Sequence, residues 1–368
     1  MANDYHLDTQ LRRTRRLREL LKELPDICSD YFLSIEQLTS PLTRLSYAYD
    51  LKLFFQYLSD EVAKFSGKPI SAFTVEDIRL VTKQDLERYA RYLSFYVKNE
   101  FIDGERIDSK EITNHEFGIK RKYASLRAFY KYLYADGRID GNIAALIPLP
   151  KLHERAIIRL DVDEVARILD VAEGGQALPK TYQKYHHITK ARDVAMLSLF
   201  LGTGIRISEC VGLNIDDFDF EQNAFVVTRK GGKEVILYLS DEVADALKAY
   251  LSERVKIETI PGHENAFFLS IQRRRITQRA VENMVKKYAS IAAPLKKKIS
   301  PHKLRSTFGT NLYRETGDIY LVADVLGHSD VNTTRKHYAA IAEDHRRIAA
   351  QKTVLREEPI SMDKCTDP

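Results

Sequence analysis

Apolar positions recur at helical spacing along most of the chain. In T-R-L-S-Y-A-Y-D-L-K-L-F-F-Q-Y-L, Leu51, Phe54, Phe55 and Leu58 fall at i, i+3, i+4 and i+7, which predicts an amphipathic helix. Thr74 and Asp77 have the spacing of a helix cap and its partner three residues on. Helical texture continues over 84–97, and the polar, Gly-containing stretch 102–116 reads as a loop. R-K-Y-A-S-L-R-A-F-Y-K-Y-L-Y then predicts a long helix with Leu126, Phe129, Tyr130 and Leu133 on one face and Gly137 as its stop. Before these, Leu17, Leu20, Leu21 and Leu24 recur among charges, with Pro25 as a breaker. That basic segment fits a helix on DNA phosphates, or a solvated helix packing one leucine face.

I-P-L-P-K at 147–151 is the best linker, because each proline biases the preceding residue toward extended backbone. The layout expected is a basic extension over 1–30, a helical domain over 31–147, a linker over 148–156, a second domain over 157–350 and a tail over 351–368. In the second domain helices are expected near 162–172, 190–201, 241–255, 277–292, 303–315, 319–326 and 333–350. F-V-V-T at 225–228 and V-I-L-Y-L at 235–239 flank K-G-G-K, a glycine turn between two strands. The fold class is therefore mainly α, with a small antiparallel β-sheet in the second domain.

A length of 368 residues suits two domains. No apolar run of about 18 residues predicts a membrane span, and the polar N-terminus carries no signal core, so a cytoplasmic protein is expected. The three cysteines are too scattered for a disulfide framework or a zinc site. A net charge of +5 permits nucleic-acid binding without requiring it.

Four short stretches carry the chemistry: T-G-I-R-I-S-E at 203–209, R-K-G-G-K at 229–233, H-K-L-R at 302–305, and L-G-H-S-D through H-Y at 326–338. A guanidinium donates two parallel hydrogen bonds and keeps its charge, so Arg206 and Arg305 are candidates to clamp a phosphodiester in its transition state. Glu209 stands at i+3 from Arg206, either orienting it or forming an ordinary surface pair. His302 lies one helical turn before Arg305, and His328 follows Gly327; either can donate to phosphate or move a proton. Lys230, with Lys233 as rival, sits on a turn whose glycines allow close approach, and can protonate a leaving oxygen. Tyr338 is the candidate nucleophile, a phenol that arginines would bias toward phenolate. No cluster of carboxylates and histidines offers an obvious metal site, and no phosphate-binding P-loop suggests ATP, so no cofactor is expected.

In these motifs and their order, the chain resembles the tyrosine recombinase family of phage integrases and Xer-type resolvases over roughly residues 35–345. The resemblance implies catalytic roles for Arg206, Lys230, His302, Arg305, His328 and Tyr338, with Glu209 as an acidic partner. It implies a helical core-binding domain and a catalytic domain forming a C-shaped clamp on double-stranded DNA. It further implies a homotetramer on two sites, a phosphotyrosine intermediate and a four-way junction, with an accessory directionality factor or partner recombinase and a place at the nucleoid. The job would be integration, or resolution as in mobile elements and Xer systems. A DNA-binding accessory protein with an inactive site and a type IB topoisomerase are the competing readings. Candidate DNA contacts are Arg44, Arg121, Lys122, Arg127 and Lys131, the last four interleaved with tyrosines on one helix, together with Lys233 and Arg274. A solvated helix face would look the same.

Overall fold

The computed structural model describes residues 4–102, 105–151, 158–229, 231–296 and 299–327. Lys230, His328 and Tyr338 lie outside these described residues, as does the helix expected over 333–350. The chain forms two compact units, Asn3–Arg155 and Ala156–Pro368.

In the first unit, the Leu51, Phe54, Phe55 and Leu58 stripe is buried along helix α3 (Pro41–Glu61). Ser40 Oγ accepts from Thr43 N at 3.2 Å, and Pro41 occupies the first turn, where its missing N–H leaves no bond broken. Across from α3 lies α6 (Glu116–Ala135), which buries Leu126, Phe129, Tyr130 and Leu133; Gly137 follows it with φ +69°. Helices α4 (Val75–Leu80) and α5 (Lys83–Ser94) each begin with a reciprocal cap, Thr74 with Asp77 and Thr82 with Asp85.

Two stretches differ from expectation here. The stretch expected as a basic extension contributes to the core of the first unit over its described residues. Helices α1 (Asp4–Leu21) and α2 (Asp26–Ser34) pack into the same core, which takes in Leu17, Leu20, Leu24, Ile27 and Cys28. The leucine face therefore packs inward while Arg18, between its leucines, stays exposed. The loop expected over 102–116 is largely strand: β1 (Phe95–Ile102) pairs antiparallel with β2 (Glu105–Thr113). Phe95 and Val97 are exposed, so this ladder depends on backbone pairing more than on burial. A polar composition then looks the same in a strand as in a loop.

The second unit is built around α8 (Lys180–Thr203), whose C-terminal half buries Ala195, Met196, Leu197, Leu199 and Phe200. It packs against α7 (Val162–Gly174), α10 (Asp241–Arg254) and α12 (Pro301–Thr316). α8 begins ten residues before the expected start because its first half is polar and largely exposed; Pro179 precedes it. Short α9 (Ile207–Gly212) leads to an antiparallel sheet of β3 (Phe218–Asp219), β4 (Ala224–Thr228) and β5 (Glu234–Tyr238), in that order. The hairpin register runs from Ala224 opposite Tyr238 to Thr228 opposite Glu234. α11 (Gln278–Ala292) and α13 (Ile319–Leu326) complete the unit. Among the described residues, no helix is long and apolar enough to cross a membrane.

Candidate active site

Helix α8 stops at Gly204, whose φ of +62° is left-handed. A Cβ at that position would lie 2.4 Å from Phe308 and 2.9 Å from Leu326 side-chain atoms, so glycine lets α12 and α13 close onto this turn. Arg206 follows two residues later, at the start of α9. Glu209 Oε2 accepts from the Arg206 backbone N–H at 2.9 Å, and its Oε1 from Arg206 Nη1 at 2.8 Å. The carboxylate is buried and fixes the guanidinium, which remains 34% exposed and directs Nη2 to the Gly327 carbonyl at 2.8 Å.

Arg305 arrives from the first turns of α12. It is buried, and it donates Nη1 to Gly204 O at 2.5 Å and Nη2 to Leu326 O. His302, one turn earlier on the same helix, is exposed. The two arginines expected to clamp phosphate thus meet at one place, the carboxyl end of α13. The last carbonyls of a helix lack i+4 partners and carry a partial negative charge; here the Gly327 N–H caps Asp324 O at 2.8 Å.

A third guanidinium joins them, which the sequence reading passed over. Arg229, at the close of β4, donates Nη1 to Asp324 O at 3.2 Å and Nη2 to Val325 O at 2.7 Å. Burial holds its pKa below the ordinary arginine value, and Arg206 adds to that lowering, whereas Glu209 and Asp324 oppose it. Carbonyls 324, 325, 326 and 327 each accept from one of three arginines. The only advance signal was adjacency: Arg229 stands beside Lys230 in R-K-G-G-K, where the chemistry was sought in the lysine.

The expected DNA contacts divide. Arg44 is 6% exposed, and its Nη1 donates to the carbonyls of Glu36 and Thr39, closing the α2–α3 connection. Arg127, half-buried, is bonded internally as well, with Nε on Ala144 O at 3.2 Å and Nη2 on Ile147 O. Both hold carbonyls that no helix pairs. Arg121 makes a two-pronged bond to buried Asp50, each N–O distance 2.6 Å, while half of its side chain stays exposed. Lys122 is half-buried, with Nζ 3.4 Å from Asn114 Oδ1. Lys131, Lys233 and Arg274 are exposed. Among the described residues, no group of three or more His, Cys, Asp and Glu side chains is arranged to hold a metal ion.

The profile of the phage integrase family matches residues 159–345. The tyrosine recombinase XerC of Caldanaerobacter subterraneus subsp. tengcongensis is 34% identical over 354 residues, covering 94% of this chain and 92% of that protein. The tyrosine recombinase XerC of Syntrophus aciditrophicus is 29% identical over 326 residues, covering 87% of this chain and 93% of that protein. Among solved structures, the XerH site-specific recombinase bound to palindromic difH substrate, a post-cleavage complex, aligns with TM-score 0.60 at 19% identity, over 92% of this chain and 94% of that one. The Tn1549 transposon integrase in complex with circular intermediate DNA aligns with TM-score 0.60 at 22% identity, over 88% and 98%. At such identities the two structures establish a shared fold.

Proposed function

The chain belongs to the phage integrase family and is a tyrosine-type site-specific DNA recombinase, and from that premise we propose how its residues divide the work of cutting and rejoining a strand. Tyr338 Oη attacks the scissile phosphorus. The new bond is a 3′-phosphotyrosyl ester, and the bond to the 5′-oxygen breaks. The phenol's proton passes to a histidine, His302 or His328, and Lys230 protonates the departing 5′-oxygen. Arg206 and Arg305 stabilise the charge that spreads over the non-bridging oxygens, an effect typically worth about 10²–10³ in rate for a single preorganised donor. Rejoining runs the same steps backward with a 5′-hydroxyl from the same strand or a different one. Attack by the other strand gives recombination through a four-way junction, with four copies of the chain holding two sites.

One observation supports this assignment above the rest: guanidiniums from two separate motifs, 206 and 305, meet at the helix end that immediately precedes His328 in the sequence. A carbonyl oxygen on a guanidinium is a fair stand-in for a phosphate oxygen, because both accept the same N–H pair. DNA is the partner in this reading, and the chain acts on it in the cytoplasm, at the nucleoid.

The decisive test is Tyr338→Phe on a suicide substrate whose cut strand loses its 5′-hydroxyl fragment. The parent protein accumulates covalent protein–DNA adduct in the presence of EDTA, and the Phe variant accumulates none. Adduct formation by the variant removes Tyr338 as the nucleophile. Mixing two marked sites separates recombination, which yields joint molecules, from simple relaxation, which does not.

A further inference from the structure

The hairpin turn after β4 is loosely built. Gly231 and Gly232 have φ of +91° and +83°, and a Cβ at either would meet nothing within 4 Å. A turn with two glycines at positive φ and open space at both Cβ positions has many accessible conformations. A proton donor carried on such a turn would be poorly positioned on its own, and misplacement by about 1 Å costs catalysis heavily.

Arg229 anchors the base of that turn. Its backbone N–H donates to Lys233 O at 2.8 Å and its carbonyl accepts from Gly232 N at 3.1 Å, so the turn closes on this residue. Its side chain docks on α13 through the carbonyls of Asp324 and Val325. The fit is close: a Cβ on Gly327 would lie 2.1 Å from Arg229 Nη1, and Gly327 itself has φ +62°. Position 327 therefore excludes a side chain both by backbone conformation and by the guanidinium lying over it. Arg206 and Arg305 bond the next two carbonyls of the same helix end.

We propose that Arg229 is a positioning residue for the cleavage step, tying the β4–β5 turn, and with it the neighbouring Lys230, to the helix end on which Arg206 and Arg305 converge. This rests on the assignment of Lys230 as the general acid. Arg229 itself touches helix carbonyls, and in this proposal it acts through Lys230 and not on the reacting atoms. Its effect is confined to the protonation of the leaving oxygen, and that gives it a signature a purely structural residue lacks.

The test uses the full chain and two suicide substrates, one with the natural bridging 5′-oxygen at the scissile position and one with bridging 5′-sulfur. A thiolate leaves without protonation. Arg229→Gln is expected to slow adduct formation about tenfold or more on the oxygen substrate, part of the roughly 10²–10⁴ that general acid catalysis contributes. On the sulfur substrate it should approach the parent rate. Arg229→Lys, which keeps one donor to the helix end, should fall between. If Arg229→Gln does not yield a folded protein by thermal melting, Arg229→Lys carries the same comparison.

Equal slowing on both substrates, or no slowing on either, overturns the proposal. Lys230→Ala is the control. If sulfur fails to rescue it, the general-acid assignment falls. If sulfur rescues Lys230→Ala while Arg229→Gln stays slow on both, only the role of Arg229 falls.

Discussion

Both units place arginine forks on carbonyls at or beyond helix ends, but they do so at different charge densities. In the first unit, Arg44 closes the connection between α2 and α3, and Arg127 holds the segment that follows α6. Each is a single cation serving one loop. In the second unit, three guanidiniums share the four carbonyls that end α13. A helix end supplies only about half an elementary negative charge. Even with Glu209 and Asp324 counted beside it, the cluster stays positive. Folding alone gives no reason to crowd like charges, because each adds repulsion and desolvation that one arginine would avoid. The same chemical device closes a loop where it occurs singly and, in the assignment proposed above, serves an anion where Arg206 and Arg305 converge.

Arg305→Gln tests the difference most severely. Gln has one short amide in place of a charged fork. Adduct formation should fall by about 10²–10³, the effect of removing one preorganised donor. The variant should also lose on the order of 1–3 kcal/mol of stability, because Gly204 O or Leu326 O is left without its donor. Single-turnover cleavage measured at saturating protein, on material shown to be folded, separates the two effects. Retention of parent-level cleavage would make the cluster a structural clasp and nothing more.

Arg44→Gln is the counterpart in the first unit. It should cost a similar ~1–3 kcal/mol in a urea titration, because two carbonyls lose a buried donor. The folded fraction should cleave at the parent rate. If Arg44→Gln slows cleavage as much as Arg305→Gln does, the contrast between single and convergent arginines is wrong.

The elements and the carbonyl bonds were not equally legible in the sequence. The α3 stripe, the Thr74–Asp77 cap and the strands around K-G-G-K could be read because side chains of particular types recur at fixed spacings, and the structure has them. The hairpin of β1 and β2 could not: 95–97 continue the helical texture of α5, the polar 105–113 look like loop, and Phe95 and Val97 face water. The polar start of α8 hid for a related reason, since most of its first turns lie exposed. For the candidate site, the order of motifs named Arg206 and Arg305, yet nothing in the sequence named their partners. The acceptors are backbone carbonyls, and every residue has one. For that reason the sequence singles out neither Arg229 nor the carbonyl bonds of Arg44 and Arg127: a guanidinium on a carbonyl leaves no pairwise pattern in the chain.

The smallest effects belong to the exposed cations. Lys131 and Arg274 are open to solvent, unlike Arg44 and Arg127. A residue that neutralises one phosphate releases roughly 0.9 counterion, so its removal flattens the plot of log affinity against log salt by about that much. Lys131→Ala and Arg274→Ala should each do so, weakening DNA binding at low salt and scarcely at high salt. Arg127→Gln should leave the slope unchanged even where it lowers stability, because its guanidinium is already engaged by Ala144 and Ile147. Slopes measured over a salt series on one duplex decide it. A flat response to Lys131→Ala and Arg274→Ala together with a reduced slope for Arg127→Gln would reverse the assignment, and would mean that the first unit gives up its internal bonds when it meets DNA.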